Sequence, residues 1–81
     1  MTIKDAVDRI KSDLSLIGTP CKRVQVAYRD GRCYLFFKLD RLPINSVLFE
    51  KKHFERVVLT GGFDDLWSEI FEYIKGESNF W

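Results

Sequence analysis

The chain has 81 residues, 46% of them apolar and 15% aromatic, with 13 Lys and Arg against 12 Asp and Glu for a formal net charge of +1. That is enough for one hydrophobic core and no second domain, and with 31% charged residues it describes a soluble globule; it excludes a disordered chain and binding to nucleic acid through net charge alone. No apolar run approaches a membrane span and Met1-Thr2-Ile3-Lys4-Asp5 lacks the apolar centre of a signal peptide, so the expected setting is the cytoplasm.

Thr2 followed by Asp5 resembles a capping box, and Ile3, Ala6, Val7, Ile10, Leu14 and Ile17 then recur at helical spacing. Gly18 and Pro20 supply a left-handed cap and a stop, which predicts an amphipathic helix over 3–17. Two strand-like runs follow, at 22–29 and 32–39, joined by Asp30-Gly31, the strongest short-range signal for a tight hairpin. A two-residue type I′ turn at Asp30-Gly31 fixes the register, because every cross-strand pair then has the same residue-number sum as Arg29 with Arg32. One hairpin face carries Val24, Val26 and Tyr28 opposite Phe37, Leu35 and Cys33. The other carries Arg23, Gln25, Ala27 and Arg29 opposite Lys38, Phe36, Tyr34 and Arg32.

Pro43 cannot donate to a ladder and ends the second strand or lies just beyond it. The stretch 44–59 reads two ways. Val47-Leu48-Phe49 and Arg56-Val57-Val58-Leu59 look like strands, whereas Asn45 can cap a helix with Val47, Phe54 and Val58 on its apolar face. The clustering of β-branched residues favours strands at 46–50 and 54–59, with Lys51-Lys52-His53 a polar turn between them. Thr60-Gly61-Gly62 marks a turn, and Phe63, Leu66, Trp67, Ile70 and Ile74 then share one helical face, with Asp64 and Asp65 at its start and Lys75-Gly76 at its close; a helix over 63–75 is expected. The predicted fold is thus a single α+β domain of order α-β-β-(β)-β-α. It has an antiparallel sheet of three to four strands and its N- and C-terminal helices packed on one face.

Little in this chain suggests catalysis. Register sets Cys21 and Cys33 ~20 Å apart, too far for a bridge, so free thiols are expected. His53, the sole histidine, forms no metal-ligand spacing with them, and no nucleophile and base recur at a useful spacing. Thr60-Gly61-Gly62-Phe63 matches neither a P-loop nor a dinucleotide fingerprint, and Asp64 and Asp65 would repel a phosphate there. Asp65, Glu69 and Glu72 read as the solvated face of a helix. Neither an enzyme, a cofactor nor a metal is expected.

The remaining signal is a surface. With both helices on the other side, Arg23, Arg29, Arg32, Tyr34, Phe36 and Lys38 form an exposed basic and aromatic face, and Phe80-Trp81 at the C-terminus either fold back onto the core or add a second anchor. Arg and Lys also serve simply to discourage edge pairing, and Tyr34 and Phe36 suit a strand for its own sake. Charge is uneven along the chain: residues 21–56 hold nine bases against four acids and residues 60–81 five acids against one base, which predicts a dipole. These features lead us to expect a non-enzymatic binding protein that occupies a macromolecular partner's surface, a protein partner before any other. Its size and layout match accessory, immunity or inhibitor proteins, including those encoded by phage and mobile elements. The alternative on the same face is single-stranded nucleic-acid binding, with bases stacked on Tyr34 and Phe36; homodimerisation through the sheet is a third reading. An RNA recognition motif is excluded by the order of elements and by the lack of its glycine-aromatic signature.

Overall fold

The computed structural model describes residues 1–39 and 46–78, with the side chains of 77 and 78 left aside. Helix α1 (Ile3–Leu16) begins at the expected capping box: Thr2 Oγ1 accepts from the Asp5 amide at 3.1 Å and an Asp5 carboxylate oxygen accepts from the Thr2 amide at 3.2 Å. Hydrogen bonding of the ionised carboxylate by Thr2, its backbone amide first and its side chain second, holds the Asp5 carboxyl below its ordinary value of 3.8. A carboxyl depressed in the folded state stabilises above its unfolded value, and that contribution is lost as pH falls through the folded one. Asp5→Asn should therefore flatten the part of the stability profile that falls away below about pH 4, read by thermal melts from pH 5 to 2. At its other end α1 closes on Gly18 at φ 76°, with the Thr19 and Gly18 amides donating to the carbonyls of Leu14 and Ser15.

Strands β1 (Cys21–Arg29) and β2 (Arg32–Leu39) pair in the register anticipated from the turn, from Arg29 opposite Arg32 down to Arg23 opposite Lys38. Asp30 and Gly31 have φ of 52° and 76°, both positive as a type I′ turn demands. Below Arg23 the register shifts so that Cys21 faces Leu39, leaving Lys22 as the extra residue of a bulge. Strand β3 (Ser46–Glu50) pairs antiparallel with the other edge of β2, so β2 is central and the order is β1-β2-β3. Pro43 lies outside the described residues.

The expected strand at 54–59 is instead a helix, α2 (Lys51–Thr60), which also absorbs Lys51-Lys52-His53 as its first turn. Phe54 and Val58, four residues apart, bury one narrow stripe of it against the core, while Leu59 is 78% exposed. Tertiary burial of that stripe outweighs the β-propensity of Val57 and Val58. The helix reading of this stretch is correct in Phe54 and Val58 but not in its start, which is at Glu50 with no side-chain cap. Gly61, at φ 83°, closes α2, and the amides of Gly62 and Gly61 donate back to Val57 and Val58. Gly61→Ala meets no steric contact yet must hold a left-handed backbone, so it should lose about 1 kcal/mol and lower Tm by roughly 4–8 °C in a calorimetric scan.

Helix α3 (Phe63–Ser78) runs three residues past its expected end, passing through Gly76. The α+β architecture is as expected, with a helix in place of the fourth strand. One core forms on the inner face of the sheet from Leu35, Phe37, Leu39, Val47 and Phe49, closed by Ala6, Ile10, Leu14, Phe54, Val58, Phe63, Trp67 and Ile74. Phe37, Phe49, Phe54 and Phe63 form a chain of ring contacts from β2 to α3, with centroids 5.1–5.8 Å apart. The buried Trp67 ring donates from Nε1 to Asp13 at 2.7 Å, and Arg9 pairs with both Asp13 and Asp64, tying α1 to α3. α3 packs on α1 and α2 rather than on the strands, which places it on the side of the molecule away from the outer sheet surface.

Candidate partner-binding face

Because strand side chains alternate, the residues that leave the core on the inner face define the outer one. Across the three strands the outer face is built in rows: Arg23, Lys38 and Ser46; then Gln25, Phe36 and Leu48; then Ala27, Tyr34 and Glu50; and Arg29 with Arg32 beside the turn. No described helix covers it, and Arg23, Arg29, Arg32 and Lys38 are all exposed. Phe36 and Tyr34 are half-buried by their neighbours without joining the core, and Leu48 is 51% exposed. Gln25, Ala27, Arg29, Tyr34, Phe36 and Leu48 line an open depression of about 540 Å³.

Six of the residues expected from the sequence, Arg23, Arg29, Arg32, Tyr34, Phe36 and Lys38, are thus brought onto one surface. Phe80 and Trp81 lie outside the described residues. Leu48 was missed, although the signal is in the chain: with Val47 and Phe49 both core positions of a strand, Leu48 between them must face out.

The charges on this face oppose folding. Arg23 lies directly across from Lys38 and Arg29 directly across from Arg32, and like charges in such positions are destabilising. Among the described residues only Arg32 has an acidic counterpart on the face, Glu50, whose carboxylate stands 3.9 Å from its guanidinium; a contact that long between such exposed groups adds little. On the far side of the molecule, α3 exposes Asp65, Glu69 and Glu72, so the asymmetry along the chain becomes one in space.

Among the described residues no three His, Cys, Asp or Glu side chains gather as metal ligands. His53 is exposed on the first turn of α2, and Cys21 and Cys33 sit toward opposite ends of the hairpin, not joined by a disulfide. No described helix is long and apolar enough to cross a membrane. Comparison with protein-family models, with curated proteins and with solved structures finds no match.

Proposed function

We propose that this protein is a non-enzymatic binding module of the cytoplasm that occupies the surface of a protein partner with the outer face of its sheet. The observation that carries the reading is the pair of opposed cationic contacts, Arg23 with Lys38 and Arg29 with Arg32, framing an apolar centre of Phe36 and Leu48. An arrangement that works against the fold is consistent with selection for something outside it. An apolar anchor ringed by arginine is also the composition of protein interfaces, with the ring steering an acidic partner and setting its orientation. Blocking a surface needs no chemistry of its own, which suits an accessory, immunity or inhibitor protein, phage-encoded or otherwise. The nucleic-acid alternative fits less well: Leu48 and Ala27 offer no stacking plane, and Glu50 stands on the same face.

The test is capture from source-cell lysate, with and without nuclease, using wild type and Arg23→Glu/Arg29→Glu. A protein retained after nuclease by the wild type and lost by the double variant supports the reading. Recovery of nucleic acid alone, with an affinity that falls steeply with salt, overturns it in favour of the alternative.

A further inference from the structure

The outer face ends at β1, and β1 is an edge: among the described residues it pairs with β2 alone. The turn dictates what that edge presents. In a hairpin closed by a two-residue type I′ loop the flanking pair exchanges both of its hydrogen bonds, so Arg29, Ala27, Gln25 and Arg23 turn their N–H and C=O groups toward β2. The backbone groups of Tyr28, Val26 and Val24 therefore point outward, in line and at strand spacing. Soluble proteins blunt such an edge with inward charges, proline or a bulge. Here the bulge at Lys22 precedes the regular run, and the charges within that run, Arg23 and Arg29, repel a second basic strand while leaving the edge open to an acidic one.

The side chains along the edge are equally specific. On the inner side, the helices that bury Leu35, Phe37, Val47 and Phe49 do not extend over the end of β1, so Val26 is 50% and Tyr28 80% exposed despite their core-side alternation. On the outer side the same strand carries Arg23 and Arg29, separated by Gln25 and Ala27. Val26 also contributes to the lining of the depression beside Phe36, so edge and face are continuous. Residues 22–29 hold three bases and no acid, which sets a second copy of β1 against this edge as like charge against like.

We infer that the β1 edge accepts an extended segment of the partner as an added strand, with acidic side chains beside Arg23 and Arg29 and apolar ones at alternate positions over Val24, Val26 and Tyr28. The inference rests on the proposed protein-binding role and specifies its mode: main-chain hydrogen bonds supply affinity, and the alternation of charge and apolar contact supplies specificity. The segment needs about seven residues, or roughly 23 Å of strand, to reach from one arginine to the other.

The probe is a fluorescein-labelled nonapeptide with glutamate at its second and eighth positions, valine at the third, fifth and seventh, and threonine or serine elsewhere, followed by anisotropy. Binding should weaken with added salt and when lysine replaces glutamate. N-methylation of one alternate set of peptide amides should weaken it at least about tenfold, while N-methylation of the other set leaves it intact. The sensitive set reports whether the strand adds antiparallel or parallel. In the protein, Val26→Pro removes an outward N–H without touching the β2 ladder, and Tyr28→Lys sets a charge over the apolar shelf. Each should abolish binding, and Tyr28→Lys, at an exposed position, does so in a folded domain even where proline distorts the strand. Equal tolerance of both N-methyl sets, full binding by Tyr28→Lys, or no binding by the wild type overturns the inference. So does a dimer of the free chain that Val26→Pro dissociates, because the occupant is then a second copy. Leu59→Ala, at an exposed position of α2, should leave peptide binding unchanged; loss of lysate capture in Arg23→Glu/Arg29→Glu with peptide binding absent from the wild type retains the face and removes the edge.

Discussion

Phe54→Ala should remove about 3–5 kcal/mol of stability, the range for truncating a buried phenylalanine, and so most of the stability a domain of this size possesses. Phe54 is fully buried, and its ring lies 5.1 Å from that of Phe49 and 5.8 Å from that of Phe63. It therefore joins β3, α2 and α3 at one point. Its loss leaves a void lined by two rigid rings that belong to other elements, and neither can move inward without dragging backbone with it. A chemical denaturation curve should show a folded baseline that is short or gone, with Tm lower by at least about 12 °C. Leu59→Ala provides the contrast. In the helix Leu59 is exposed, so its replacement by the best helix former should be neutral or slightly stabilising. A loss above about 2 kcal/mol there, on the scale of a buried leucine, would contradict the placement of α2.

The same residues explain which parts of the fold were legible. From Arg29 down to Arg23 the hairpin is readable to the residue because Asp30-Gly31 imposes positive φ at two adjacent positions, a local requirement that no distant contact has to supply, whereas the bulge at Lys22 has no such signal. Helix α1 announces both of its ends in side chains, Thr2 with Asp5 and then Gly18. Helix α2 announces neither: Glu50 makes no side-chain cap, the first turn holds no acid, and Gly61 reads equally well as a turn after a strand. Its buried residues are only Phe54 and Val58, which fit a four-residue period as readily as alternate positions of a strand, with Val57 partly buried against the core beside them. What decides between them is the ring of Phe49 on β3 and that of Phe63 on α3, contacts between segments that composition cannot bring together. The candidate face was legible in proportion to the hairpin, since alternation follows once the register is known. Leu48 is harder to find because no turn signal sets the register of β3 as Asp30-Gly31 sets that of the hairpin, and the apolar centre of the face is larger than the hairpin alone implies. The end of α3 was misplaced for a simpler reason: Gly76 in the middle of a helix weakens it without breaking it, and here it has no positive φ to signal a cap.

Phe36 and Phe37 are neighbours in the chain, and their serine variants should behave oppositely. Phe37 is fully buried on the inner face, its ring edge-on to Phe49 at 5.8 Å, so Phe37→Ser places a hydroxyl in the core and removes a large ring from it. That change should unfold the domain, a loss beyond about 4 kcal/mol. Phe36 points the other way, between Gln25 and Leu48, and takes no part in the core. Phe36→Ser forfeits cross-strand packing and some strand propensity, about 1 kcal/mol, and Tm should fall by no more than about 8 °C. Its effect belongs in binding. As the aromatic centre of the proposed interface it should account for 2 kcal/mol or more of affinity, a roughly thirtyfold rise in Kd for the captured partner. The rise should come mainly through faster dissociation, because a central apolar anchor acts after encounter whereas the arginines around it act before. Arg23→Glu/Arg29→Glu should instead slow association, and the defect should shrink at high salt. Surface plasmon resonance at two ionic strengths separates the two classes of effect. A Phe36→Ser variant that unfolds alongside Phe37→Ser would place Phe36 in the core and remove the apolar centre of the proposed interface. One that stays folded and binds at the wild-type rate would leave the opposed arginines on this face without an anchor to orient.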